Sequence, residues 1–98
     1  MEYSIKEIVG VIGAKARNLQ DGTISILLTD SRRLSFPEQS LFFALKTKTN
    51  DGHRYIKELY KLRVRNFVVS EMLPEFESLQ EANFLVVKDT LKALQKLA

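Results

Sequence analysis

The chain has 98 residues, 45% of them hydrophobic and 28% charged, and its 15 basic and 12 acidic side chains leave a net charge of +3. A chain of this length suits one small domain that buries about 60–65% of its unfolded surface in packed layers. With no cysteine, disulfide scaffolds, thiolate metal sites and thiol catalysis are excluded. Its four glycines, Gly10, Gly13, Gly22 and Gly52, write neither G-x-x-x-x-G-K-[S/T] nor G-x-G-x-x-G, and a lone His53 rules out sites with several imidazoles.

Ser4-Ile5-Lys6-Glu7 has the form of a capping box, and Ile5, Ile8, Val9 and Ile12 follow at helical spacing. This pattern predicts a helix over 4–13 that ends near Gly13. Ala16–Leu19 reads as a short strand, and the turn signal Gln20-Asp21-Gly22 leads into a β-branched strand over 23–29. Asp30 to Ser40, with Pro37, reads as loop. Leu41–Leu45 is a continuous apolar run of strand length, as expected of a strand covered on both faces.

Asp51 can cap a second helix over 52–63, whose apolar stripe is Tyr55, Ile56, Leu59, Tyr60 and Leu62. Phe67–Val69 and Phe84–Val87 read as two further buried strands, joined by an acidic connection containing Pro74. Asp89 can cap a last helix with Leu91, Leu94, Leu97 and Ala98 facing inward. The expected fold is a single small α/β domain: a mixed or largely parallel sheet of about four to five short strands packed with about three helices.

Ligands of such sheets bind beyond the carboxyl ends of the strands, here Thr29–Arg33 and Lys46–His53. Thr29-Asp30-Ser31-Arg32 brings hydroxyls, a carboxylate and a guanidinium to a strand end, where they can bind a polar ring or sugar. They can equally close the strand with local side-chain bonds, leaving Arg32 solvated. Lys46 to His53 leads into a helix N-terminus, where free N–H groups favour an anion and two lysines suit a phosphate. The other reading is ordinary turn chemistry, with Asp51 as the cap, Gly52 for backbone freedom and His53 as an exposed first-turn residue. Basic residues outnumber acids up to Ser70 and acids outnumber bases beyond it.

Three segments in order, Thr29-Asp30-Ser31-Arg32, Ser40-Leu41-Phe42-Phe43-Ala44-Leu45-Lys46 and Asp51-Gly52-His53-Arg54-Tyr55-Ile56, resemble the N-terminal domain of the Mur ligases. The likeness is greatest to members that add D-alanyl-D-alanine to the peptidoglycan precursor. The closing stretch from Val86 to Ala98 is similar to the strand and helix that end this domain, so the resemblance covers 1–98. It implies a domain holding the UDP part of a UDP-N-acetylmuramoyl peptide. Ser31 and Arg32 would lie near the uridine and its phosphates, Lys46, Lys48, Thr49 and Asn50 along the uracil and ribose, and Asp51, Gly52 and His53 would shape the loop. Two departures stand out: Thr47 replaces a common glycine, and the loop over 33–40 is longer and lacks the usual proline-glycine turn.

The resemblance also implies that ATP and magnesium act in the parent ligase, on domains that follow this one, and that the 98 residues are not catalytic alone and hold no cofactor themselves. Pyridoxal phosphate would enter only where the parent is fused to an alanine racemase. The implied partners are the UDP-N-acetylmuramoyl peptide and the remaining domains of the same ligase, with no nucleic acid. Met1-Glu2-Tyr3 is not a basic leader start, and no apolar run approaches the ~18–20 residues needed to span a bilayer, so no membrane partner and a cytoplasmic location are expected. A competing reading is a small basic nucleic-acid or protein-interaction module built on Arg32, Arg33, Arg63 and Arg65, with Tyr55 or Tyr60 for stacking. A third is a domain with a structural role only.

Overall fold

The computed structural model describes residues 2–98. Its first elements are β1 (Tyr3–Ser4), α1 (Ile5–Ile12), β2 (Lys15–Arg17), β3 (Thr23–Ile24) and β4 (Ile26–Leu28). After them come β5 (Ser40–Phe43), α2 (Ile56–Lys61), β6 (Asn66–Val69), β7 (Asn83–Val86) and α3 (Thr90–Leu97). The main sheet runs β2-β7-β6-β5-β4; β4 to β7 are parallel, β2 closes one edge antiparallel, and β1 pairs with β3 as a separate ribbon. The α/β expectation, with a largely parallel sheet and three helices, therefore holds.

The local signals act as read. The Ser4 side chain accepts from the Glu7 N–H while the Glu7 carboxylate accepts from the Ser4 N–H, so α1 begins on a closed capping box. Gly13 ends it with φ at +65°, a left-handed position that glycine occupies without strain. Successive strand residues point to opposite faces. Leu41, Phe43, Val68 and Leu85 bury one face under α1 and α3, and Phe42, Phe67, Val69 and Phe84 bury the other under α2 and a 3-10 turn over Pro74–Ser78.

Parallel register aligns Leu28, Phe42, Phe67 and Phe84 in one row across the sheet. Phe42 meets Phe67 edge-on at 6.4 Å between centroids, Phe67 stacks on Phe84 at 5.5 Å, and Phe84 stacks on Phe76 at 5.2 Å. Such pairs add about 0.5–1.5 kcal/mol each beyond their burial. At the amino ends of the strands Asn83 donates to Asn66 Oδ1 at 2.8 Å and exchanges two bonds with the Gln20 backbone, so both buried amides are satisfied.

Several expectations need correction. The strand over 23–29 is broken at Ser25, whose N–H and hydroxyl bond to the backbone and side chain of Gln39, so that its two halves join different sheets. The strand expected at Ala16–Leu19 is Lys15–Arg17, because Asn18 turns left-handed (φ +59°) and the chain leaves the edge. The helix over 52–63 opens as a 3-10 turn over Gly52–Tyr55, and the loop over 30–40 contains 3-10 turns at Ser31–Arg33 and Pro37–Gln39. In α3 the inward face is Thr90, Ala93 and Leu97 with Leu94 beside them, while Leu91 is 50% exposed and Ala98 is exposed. Leu62 of the second helix is likewise exposed.

Backbones crowd together at the carboxyl end of β5. Ala44 donates its N–H to the Val68 carbonyl, its own carbonyl accepts the buried Thr90 hydroxyl at 3.0 Å, and Gly52 lies against its Cα. A Cβ on residue 52 would sit 2.9 Å from both Ala44 Cα and Leu45 N, and neither is free to yield. Gly52→Ala is therefore expected to destabilise the domain by about 1–3 kcal/mol in urea denaturation. Arg63, at the end of α2, has φ +78°, and its pair with Glu38 is exposed and 3.6 Å long. Because glycine removes the left-handed penalty there and the surface pair contributes little, Arg63→Gly is expected to raise stability by about 0.5–1 kcal/mol, with Arg63→Ala showing no such gain.

Candidate functional site

Thr29–Arg32 leaves the carboxyl end of β4, and the loop after β5 rises beside it. Together they enclose a cleft of about 520 Å³ lined by Thr29, Asp30, Ser31, Arg32, Asn50 and Tyr55. One wall is held by Asp30, whose carboxylate accepts from the Arg32 backbone N–H and from Nε and Nη2 of the same residue, at 3.0–3.1 Å. These bonds and the guanidinium charge hold the Asp30 carboxyl below its usual range and push Arg32 up. The Arg32 side chain is nonetheless 87% exposed, so the guanidinium is oriented by its neighbour and open to a ligand.

The opposite wall is a turn closed on itself. Thr47 N–H donates to the Asn50 carbonyl at 2.8 Å, and the Thr47 hydroxyl accepts from Asn50 N–H at 3.1 Å. Lys46 and Asp51 bridge its base, where Gly52 N–H donates to the Leu45 carbonyl. The threonine at 47 thus supplies a hydroxyl that helps to close the turn. Tyr55 reaches back from the 3-10 turn and donates its hydroxyl to Asn50 Oδ1 at 3.3 Å.

Asp51 caps the turn by accepting from His53 N–H at 3.0 Å and from the His53 ring at 2.7 Å. Burial works to raise the Asp51 carboxyl, but the bonds from His53 and the charge of Lys46 outweigh it, and the group sits below its usual range. His53 is 2% exposed, which corrects its reading as an exposed first-turn residue. Its Nε2 accepts from Ser70 N–H at 3.1 Å, so Nδ1 carries the proton given to Asp51, and its ring stacks on Phe76. Glycine at 52 lets the chain approach β5 closely enough for this ring to enter the core.

The residues singled out in the sequence therefore separate into groups. Ser31, Arg32 and Asn50 share the cleft; Asp51, Gly52 and His53 build its frame. Lys48 and Thr49 are exposed on the turn. Lys46 turns away to Glu71 at 3.0 Å, with Asp51 at 3.9 Å, and these acids raise its pKa. The Lys46 ammonium stands where a cation would bind between Asp51, His53 and Glu71, and both His53 ring nitrogens are engaged, so this trio does not fit magnesium. The sequence places Tyr55 on the inward stripe or, in the competing reading, as a stacking ring; it packs on the core with one side and lines the cleft with the other. An aromatic four residues after the cap was the available signal.

The basic interaction face does not form. Arg32 and Arg33 follow the carboxyl end of β4, whereas Arg63 and Arg65 precede the amino end of β6, and because these strands are parallel the two pairs lie at opposite ends of the sheet. Arg65 is further held over the Tyr60 ring at 4.1 Å and donates to the Tyr60 carbonyl at 2.7 Å. Among the described residues no helix is long and apolar enough to cross a membrane.

No family model matches the chain. It is 31% identical over 90 residues, 92% of its length, to the UDP-N-acetylmuramoyl-L-alanyl-D-glutamate–2,6-diaminopimelate ligase of Cytophaga hutchinsonii. It is 33% identical over 69 residues, 70% of its length, to the ligase of the same name from Clostridioides difficile. It spans 18% and 13% of those proteins. Among solved structures, 99% of the chain superposes on 21% of the UDP-N-acetylmuramoylalanyl-D-glutamyl-2,6-diaminopimelate–D-alanyl-D-alanyl ligase of Acinetobacter baumannii, with a TM-score of 0.83 at 23% identity. A crystal structure of MurF from that organism gives 0.84 at 22% identity. The sequence likeness to two ligases of one kind and the whole-chain likeness in fold place this chain in the Mur ligase family, as an N-terminal domain.

Proposed function

We propose that residues 1–98 form the domain that holds the UDP part of a UDP-N-acetylmuramoyl peptide for an ATP-dependent ligase of peptidoglycan precursor synthesis. The observation that carries this reading is the cleft between the Asp30–Arg32 segment and the Asn50 turn, at the carboxyl ends of two adjacent parallel strands. Its volume suits a nucleoside, and an oriented, exposed guanidinium supplies the charge for a phosphate. Ser31, Arg32 and Asn50 make direct contacts in this reading, with Lys48 and Thr49 at the rim. Lys46, Asp51, Gly52 and His53 act by holding the turn.

The chemistry of ligation, ATP and magnesium included, belongs to other domains of the parent, and this chain's part is binding and orientation. For the group added, the whole-chain likeness to a D-alanyl-D-alanyl ligase supports the dipeptide. The relatives found by sequence are diaminopimelate ligases, and they favour diaminopimelate as a second reading. Amine-dependent phosphate release by the full-length ligase, measured with each amine in turn, separates the two.

Titration of the 98-residue chain with UDP, followed by amide NMR, should shift Ser31, Arg32 and residues 46–53. Shifts absent at millimolar ligand, or confined to Arg63 and Arg65, would refute the site. Arg32→Ala should weaken binding about tenfold, while Arg63→Ala leaves it unchanged. The frame is also acid-sensitive in a defined direction. Asp30 and Asp51 titrate below 3.8 when folded, so their stabilisation is complete above that value and is lost as pH falls through the lower folded-state values. The melting temperature should fall below about pH 4, and Asp51→Asn should flatten that limb.

A further inference from the structure

Among the described residues, three that are not glycine hold a left-handed backbone: Asn18, Phe36 and Arg63, with φ of +59°, +48° and +78°. Asparagine tolerates this conformation, whereas for a bulky side chain it is strained. The two bulky residues come together. With Pro37, Glu38 and Gln39 they line a hollow of about 340 Å³ near the amino ends of β5 and β6, at the end of the sheet opposite the cleft.

Burial offsets neither strain. Phe36 is 68% exposed, and its turn is fixed from below: the buried Ser40 hydroxyl donates to the Ser35 and Phe36 carbonyls, and Gln39 N–H donates to the Phe36 carbonyl. The result is an aromatic ring presented to solvent on an anchored turn. The Arg63 and Glu38 side chains are 76% and 71% exposed and meet at 3.6 Å, a pair that contributes little within the molecule. The same two residues line a second hollow of about 460 Å³ with Arg65 and Glu81. The chain carries +3 overall, but these hollows set two arginines against two glutamates, so a second copy meets this face without net repulsion.

A patch that bears a projecting ring, a hollow and charges of both signs is complementary to itself under a two-fold axis. We propose that this face is a self-association surface, on which a second copy of the chain docks about a two-fold axis. The Phe36 ring of each copy enters the hollow of the other, and Glu38 of each meets Arg63 of the partner subunit. A patch this small buries less than about 1,200 Å² in total, which makes the dimer weak and transient. The cleft lies at the other end of the sheet and stays open in such a dimer, so the inference stands apart from the nucleotide reading.

Sedimentation velocity of the 98-residue chain from about 10 μM to about 1 mM should show a reversible rise toward dimer and no further. Amide NMR over the same range should shift residues 36–39 and Arg63 and leave Ser31, Arg32 and Asn50 unmoved. Phe36→Gly removes the ring and the strain together, so its urea midpoint should rise while association weakens about tenfold or more. Arg63→Glu sets like charges against each other across the axis and should abolish association. Combining it with Glu38→Arg should restore association, because the exchanged pair closes across the same axis. A wild-type chain that stays monomeric at the highest concentration, growth beyond dimer, or a Phe36→Gly protein that associates as the wild type does would each overturn the proposal. Failure of the charge exchange to restore association would overturn the Glu38–Arg63 contact.

Discussion

The approach of Gly52 to Ala44 is the constraint on which the site depends. Two backbones pass with no room for a side chain between them, and three other features follow from that proximity. His53 can reach the core and stack on Phe76, and Asp51 is brought to the start of the turn it caps. Thr90 closes on the Ala44 carbonyl from the other side of the sheet. The loop that forms one wall of the cleft is therefore fastened at its carboxyl end by van der Waals contact, a buried imidazole and the Asp51 cap.

The division of labour within the DGH segment follows from burial. Asp51 and His53 look chemically active in a sequence, being a carboxylate and an imidazole two residues apart, yet each spends its polar atoms on the other and on the backbone. The groups left open are those at the rim: the Arg32 guanidinium, the Asn50 amide and the hydroxyl-bearing strand end. In the proposed function these open groups meet the nucleotide, and the buried elements beneath them hold them in place.

Much of this was legible in the sequence because the signals were local. The capping box, the glycine stop of α1, and the order of apolar strands and amphipathic helices each depend on residues within one turn or one strand. What could not be read depends on distant partners. The run from Thr23 to Thr29 carries no turn signal, and it is Gln39, fourteen residues away, that holds Ser25 out of a single strand. In α3, Leu91 belongs to a plausible apolar stripe, but the Thr90 hydroxyl bonds to the distant Ala44 carbonyl, and Thr90, Ala93 and Leu97 form the buried face instead. Lys46 has the spacing of a phosphate ligand, and Glu71, on a loop beyond the next strand, draws it aside. Tyr55 serves both core and cleft, a double role that periodicity alone assigns to the core.

The margins of the sheet carry a different consequence. β2, antiparallel at one side, presents Lys15 and Arg17, both exposed, and β4 at the other side is three residues long and ends where the chain breaks into turns. Neither margin offers a long, uncharged row of free amide and carbonyl groups, the template on which strands of separate molecules pair. A parallel sheet this apolar is at risk of edge-to-edge assembly while it folds. Here the same charged and shortened borders that limit the sheet to five strands make it a poor seed for aggregation, independently of anything bound in the cleft.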